Sequence, residues 1–457
     1  LRSASAMIAD HSTSKKSFHL NKLLGLLLGF TVIILLMHLS LKIVGNVPDE
    51  DTFFKHAKRF LKFQQSKDSW FPMISAIQWF LQNSKQSIYQ VIFFQEGVKF
   101  QYPPTSLVPF YLFDKIHILN YQLLKVISWL SIIATTIFAH QIYRHTLCQF
   151  DEILSIRKNS HWRTVLELLA FLGLTLTFYP VMKAYSLGQI QAWITCCFAA
   201  SLLAWLKQKY LLSGLLLGLT CLIKPQYAVF IVWGLLRCQW RFSLGFLAIA
   251  AIGSLISLAI FGWANHIDYL QVLSFLSKHG EAFYPNQSFN GLLQRLLMNG
   301  DNLEWNDHKF PPFHPFIYAG TLLSSILLLA IAFWPRPLKT PLQKAIDLCV
   351  MALVATMASP IAWEHHYGLL LPIYACVIPA LLITALQQKR GAIAIALLFV
   401  IYCMTTFNWF FIFNQFANQI PLNILQSYLY LGAIGLLILL IRWFELPVFS
   451  LHFLRHS

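Results

Sequence analysis

Apolar runs of helix length recur along almost the whole chain, and that recurrence leaves few folds open. In a bilayer every backbone N–H and C=O must be satisfied within the protein, so only helices and closed barrels span it. The runs here have helix length, and the alternating pattern of barrel strands is absent. Only 11% of residues are charged, against about 25% in a soluble domain, and 57% are hydrophobic. The chain is therefore expected to be all-α and polytopic, with about twelve hydrophobic helices.

The first span is expected at 23–44, as a retained helix without a small-residue cleavage site. The others fall near 121–143, 164–182, 190–206, 210–223, 226–237, 241–262, 316–334, 346–360, 367–386, 391–413 and 423–443. Residues 45–120 do not span. They hold two amphipathic pieces, 52–63 and 73–81, suited to lie in the membrane interface. Residues 1–22 and 444–457 read as cytoplasmic tails around one membrane-embedded domain, 23–443. Lys224-Pro225 splits a short pair of apolar segments, since proline removes a donor and disfavours helix just before it.

The formal charge of +16 invites a nucleic-acid reading, but the basic residues sit in short clusters between spans, where they set topology. Counted from a cytoplasmic N-terminus, the clusters at 144–163, 207–209, 237–241, 336–344, 389–390 and Arg442 all fall inside. No nucleic-acid partner is expected. The eight cysteines are scattered, with no metal spacing, and read as small apolar residues.

The opposite face collects the unusual residues. They are Asp49, Glu50 and Asp51; Tyr102-Pro103-Pro104; Gly188-Gln189; Lys224-Pro225; Asn286-Gln287-Ser288 with Gly291 and Arg295; and Trp363-Glu364-His365-His366. Each has a plain reading. An acidic cluster is usually a solvated loop, Tyr-Pro-Pro a rigid turn, and Gly-Gln a helix entry. Lysine at a span end snorkels, Asn-Gln-Ser caps a helix, and tryptophan belongs to an interfacial belt. Adjacent histidines on a helix point about 100° apart, which argues against a metal pair. Six such groups on one face, in a chain with 18 acids against 34 bases, point to a site there.

With these residues in hand the chain resembles glycosyltransferase family 87, the C-type membrane transferases that include polyprenyl-phosphate-mannose-dependent α-1,2-mannosyltransferases. The resemblance covers about residues 23–380. It is carried by Asp49 with Phe53-Phe54, Phe100-Gln101-Tyr102-Pro103-Pro104, Gly188-Gln189, Lys224-Pro225, Asn286-Gln287-Ser288 with Gly291 and Arg295, and Ser359-Pro360-Ile361-Ala362-Trp363-Glu364-His365-His366. The family's usual tyrosine is Phe53 here, its Val-Asn after Gly-Gln is Ile190-Gln191, and its Ser-Trp is Ala362-Trp363.

The resemblance implies a hexose, mannose first, moved with inversion from a polyprenyl-phosphate sugar to a hydroxyl of a glycolipid or lipid-linked acceptor. It implies no separate cofactor and no metal. A carboxylate, Asp49 or Asp51, is then the general base. Lys224, Arg295, His365 and His366 are candidates to hold the leaving phosphate. Asn286, Gln287 and Gln189 offer donors and acceptors to sugar hydroxyls, Trp363 and Tyr102 pack on the pyranose, and Glu364 completes the set. Membrane lipids are the other partners. A bacterial inner membrane fits best, with the site periplasmic and both termini cytoplasmic. A flippase of polyprenyl-linked sugars, a glycan polymerase or ligase, and a scaffold are the competing readings.

Overall fold

The computed structural model of the protein describes residues 24–43, 53–84, 86–150, 161–336, 338–386 and 391–444. Asp49 and Asp51, with both tails, lie outside the described residues. Helices dominate, and among the described residues there is no strand, only a lone antiparallel bridge joining Asn286 to Trp363. Each of the expected apolar segments falls on helix. Among the described residues six helices are long and apolar enough to cross a membrane, or up to eight if two bent pairs count as single spans. Three shorter apolar helices, Gln191–Leu206, Tyr210–Ile223 and Pro225–Leu236, account for much of the difference from about twelve.

In chain order the helices that matter here are α1 (Leu24–Ile43), α2 (Phe53–Leu61), α3 (Trp70–Gln82), α4 (Pro104–Lys115), α5 (Tyr121–Cys148), α6 (His161–Thr177), α7 (Tyr179–Leu187), α8 (Gln191–Leu206), α9 (Tyr210–Ile223), α10 (Val229–Leu236), α11 (Trp240–His279), α12 (Phe289–Leu296), α13 (Pro315–Phe333) and α14 (Pro341–Met357). The 3-10 turn Glu364–Leu369 follows α14 and leads into α15 (Leu370–Leu386).

Two hydrophobic cores form. The larger joins the spans, with α14 and α15 at its centre; the smaller gathers Trp70, Met73, Ile77, Tyr89, Phe100 and Phe261. Helices α2 and α3 stand where amphipathic pieces were expected. Much of their apolar surface packs on protein: Ala57 and Phe60 in α2, Met73, Ile74, Ile77 and Phe80 in α3. Leu61 and Phe71 remain exposed.

Three local breaks shape one end of the bundle. α6 and α7 meet at a 65° bend, next to Pro180 in the first turn of α7. α11 was expected to stop near residue 262. Instead it turns at Gly262 (φ 73°, ψ 168°) and continues to His279. This φ is one that side chains with a Cβ rarely adopt. Asn265 secures the turn, donating to Phe261 O (2.8 Å) and accepting from the Ile88 amide (2.9 Å).

The third break is at Gly188, which closes α7 in the left-handed region (φ 76°). A Cβ here would lie 2.1 Å from the Ser66 carbonyl oxygen. That room lets 66–69 lie on the helix end, where the amides of Ser66, Asp68 and Ser69 donate to the carbonyls of Ser186, Leu187 and Gly188 (2.9, 3.0 and 3.1 Å). The Gly-Gln motif is thus a C-cap whose orphan carbonyls are met by a distant segment.

The other end of the bundle is closed by ion pairs. Asp347 is fully buried and bonded by Arg237 (2.7 Å), Arg336 (2.8 Å) and Trp233 Nε1 (2.9 Å). Arg237 also donates to the carbonyls of Ala332, Phe333 and Trp334 at the end of α13. Glu167 is buried among Arg163 (2.8 Å), His140 (3.4 Å) and Arg144 (3.9 Å).

Removing one partner of a buried ion pair strands the others and costs about 3–5 kcal/mol. Asp347→Ala is accordingly expected to lower the thermal unfolding midpoint in detergent; an unchanged midpoint would show that the cluster contributes nothing. Gly188→Ala forces a Cβ into the left-handed region, at about 1–2 kcal/mol before the clash with Ser66 is counted. Hydrogen exchange at the amides of Ser66, Asp68 and Ser69 should then accelerate by about tenfold or more while the spans stay protected.

Candidate active site

At the end away from these ion pairs a cavity of 1120 Å³ opens between α3, α7, the α9–α10 break, the far half of α11 and the 3-10 turn Glu364–Leu369. It draws its walls from segments far apart in sequence: 66–72, 98–102, 183–189, 223–229, 283–285, 305–308 and 355–366.

One wall carries cations and imidazoles. Lys224 leaves α9 in an extended conformation (φ −134°, ψ 105°), as the following Pro225 demands. Its ammonium is buried and donates to Gln191 Oε1 (2.9 Å) and His366 Nε2 (2.5 Å). An ammonium can only donate, so the His366 proton sits on Nδ1 whenever Lys224 is charged. Burial holds the Lys224 ammonium well below the usual lysine range. Beside it Lys183 reaches Glu364 Oε1 at 3.4 Å, and Tyr179 donates its hydroxyl to Glu364 Oε2 at 2.9 Å. His365 is only 4% exposed, yet neither ring nitrogen has a partner among the described residues. A buried polar group left unpaired costs about 1–3 kcal/mol, so this ring waits for a ligand or water from the cavity.

The lining also carries a carboxylate, Asp68. Gln189 donates through Nε2 to Asp68 Oδ2 and accepts from Ser69 Oγ at 2.6 Å. Ser69 Oγ also meets Tyr102 OH at 2.7 Å. This chain of bonds sets which way the Gln189 amide points and aims Asp68 at the cavity. Burial raises the Asp68 pKa above the ordinary carboxylate value; the Gln189 bond and the Lys183 charge oppose the rise, and Asp307 adds to it.

Of the sequence-predicted residues, Tyr102, Gln189, Lys224, Trp363, Glu364, His365 and His366 line this cavity together. Asn286, Gln287 and Arg295 do not. Asn286 donates to the carbonyls of Glu281 (2.8 Å) and Pro360 (3.2 Å) and accepts from the Ala362 amide (2.9 Å). Gln287 bonds Tyr284 O and Gln426 O and accepts from the amides of Leu429 and Tyr430. Arg295 donates to Asn286 O (3.0 Å) and Ser427 Oγ (2.6 Å). Asn286 knits the 281–295 segment to the one that carries Trp363 and Glu364, while Gln287 and Arg295 tie it to residues 426–430, so the three support the cavity from behind its lining. Among the described residues no three His, Cys, Asp or Glu side chains cluster to hold a metal.

Sequence reasoning missed Asp68, Lys99, Lys183, Trp305 and Asp307. Lys183 had a signal: it is the one charged residue between Glu167 and Lys207. Asp68 had none, because it reads as a polar loop residue until Gln189 is seen to hold it.

The sequence model of glycosyltransferase family 87 matches residues 100–360. Two mycobacterial proteins named polyprenol-phosphate-mannose-dependent alpha-(1-2)-phosphatidylinositol mannoside mannosyltransferase are similar. That of Mycobacterium tuberculosis is 29% identical over 189 residues, covering 40% of this chain and 39% of that protein. That of Mycolicibacterium smegmatis is 25% identical over 301 residues, covering 62% and 63%. A Mycobacterium tuberculosis protein named for a phosphatidylinositol pentamannoside mannosyltransferase is 24% identical over 277 residues, covering 60% and 57%. The chain thus spans less than two thirds of the length of each of these relatives. No solved structure matches. With more than half of its length matched by the family's sequence model, and the apolar helices of a multi-pass membrane protein around the matched region, the chain belongs to glycosyltransferase family 87.

Proposed function

We propose that this protein is a membrane mannosyltransferase that moves a hexose from a polyprenyl-phosphate donor to a hydroxyl of a glycolipid or lipid-linked acceptor, with inversion. The observation that carries the reading is His365, buried with both ring nitrogens open, beside Lys183 and Lys224 in one cavity wall. Such a wall suits a phosphate that gains charge as it leaves. The printed names of the mycobacterial relatives supply the donor class and the lipid character of the acceptor.

In the reaction the acceptor oxygen forms a bond to the anomeric carbon while the bond from that carbon to the phosphate oxygen breaks. Polyprenyl phosphate departs with the electron pair. The acceptor proton goes to a carboxylate. Lys183, Lys224 and His365 meet the developing charge. The cavity continues past Lys224 along Val229, Leu329 and Ala355, between α10, α13 and α14, which suits the isoprenoid tail.

Asp49 or Asp51 is the proposed base. Both precede α2, whose His56 ring lies 5.8 Å from the Tyr179 ring, and Tyr179 bonds Glu364 in the cavity wall. Asp68 is the second reading, favoured by its place in the cavity and its raised pKa. The cavity lies at the end of the bundle away from Arg237, Arg336 and Arg144, which by the positive-inside rule makes it extracytoplasmic.

The test is transfer of label from polyprenyl-phosphate mannose to a total lipid extract of the host, in reconstituted vesicles. Positioned general bases contribute about 10²–10⁴-fold. Asp49→Asn or Asp51→Asn, whichever is the base, should lose that much, with no effect of EDTA. If Asp68→Asn alone does so, Asp68 is the base. Donor crossing the bilayer with all three variants active in it and no sugar transferred would establish a flippase. Lys224→Met and His365→Ala should each slow transfer by about 10²–10³-fold, as loss of a charge-stabilising donor does.

The pH profile separates the bases independently. An unperturbed aspartate loses its base function only as pH falls toward about 3.9. If Asp68 is the base, the acid limb of transfer should lie above that value, because burial favours its protonated form. An acid limb in the ordinary range speaks for Asp49 or Asp51.

A further inference from the structure

The cavity holds an aromatic corner in which Trp363, expected from the sequence to pack on a pyranose, meets Trp305. Trp305 and Trp363 both line the cavity, and their rings stand 5.3 Å apart at 73°. Trp305 is 40% exposed, high for a tryptophan that has four neighbours holding it in place. Lys99 lies over its ring at 3.9 Å, Phe283 packs at 5.7 Å, and its Nε1 donates to Asp307 Oδ1. Lys99 is itself fixed by Glu281 at 2.7 Å and by the Phe310 ring at 4.3 Å.

The segment bearing Trp305 is neither helix nor strand, yet it is pinned at short intervals. Asp301 Oδ1 accepts from the amides of Leu303 and Glu304 (2.9 Å each), and Asn306 Oδ1 from those of His308 (3.0 Å) and Lys309 (2.8 Å). The corner is therefore pre-formed. A pyranose has an apolar face of C–H groups and a rim of hydroxyls. A flat ring with a carboxylate at its edge matches both, the ring by dispersion and the carboxylate by accepting from the hydroxyls.

We propose that the Trp305–Trp363 corner, with Asp307 at its rim, is the acceptor subsite, and that it recognises a pyranose of the acceptor's headgroup. The donor phosphate then occupies the Lys183, Lys224 and His365 wall, and the two substrates approach from opposite sides of one cavity. The proposal rests on the transferase reading for which side is which, while sugar binding at the corner is measurable without transfer.

Calorimetric titration of the full-length protein in detergent tests it, with two kinds of probe: the octyl glycosides of mannose, glucose and galactose, and polyprenyl phosphate. At least one octyl glycoside should bind wild type. Trp305→Ala and Asp307→Asn should weaken that binding about tenfold or more, Trp305→Phe should restore most of it, and affinity for polyprenyl phosphate should not change. In transfer assays the same variants should raise the acceptor KM and leave the donor KM alone. No glycoside binding by a wild type that binds polyprenyl phosphate overturns the subsite. So does an equal loss for both probes in Trp305→Ala, which would mean that the loop merely supports the fold. Glycoside binding lost with Trp305 but no polyprenyl-phosphate binding by wild type would keep the subsite and count against the donor reading.

Discussion

Burying a charge in an apolar bundle is costly unless every donor and acceptor it brings is met, and the two ends of this protein answer that constraint differently. At one end the answer is complete. Asp347 is matched by Arg237, Arg336 and Trp233, and Glu167 by Arg163, His140 and Arg144. At the other end the matching stops short. Lys224 spends two donors on Gln191 and His366, and His365 has no partner among the described residues on either nitrogen. The first end holds its helices together; the second leaves valences open toward the cavity.

That contrast explains what the sequence made legible. The apolar periodicity and basic clusters announce a helical membrane protein, and Tyr102, Gln189, Lys224 and the run from Trp363 to His366 converge on one cavity. Span length was harder to read, since α6 and α7 form a bent pair and α11 passes through Gly262 without ending. A hydropathy pattern shows where lipid is tolerated, not where a helix turns aside to wall a cavity.

The site was legible in part, for a physical reason that differs by residue. Asn286 and Gln287 read as sugar ligands, and Arg295 as a holder of the leaving phosphate, because a polar triplet and a cation beside a helix look functional. They are instead used within the fold, mostly by backbone: Asn286 alone ties Glu281, Pro360 and Ala362 together, and a Cβ on Gly291 would sit 2.3 Å from Asn286 O. A motif held by close packing and a motif that touches substrate look the same in one sequence. Asp68 fails in the opposite direction. Its role depends on Gln189, 121 positions later in the chain, and on the left-handed Gly188 that lets the two segments meet.

The departure at Gln191 now has a physical meaning. The family's asparagine is replaced here by a side chain one methylene longer, and its Oε1 is what Lys224 donates to at 2.9 Å. An ammonium has three donors. With Gln191 and His366 taking two, one remains free of them, and the direction of that last donor is set by the other two. A shorter amide in this position would leave Lys224 freer and less directed. The reach of Gln191 therefore sets the direction in which the buried Lys224 offers its remaining donor.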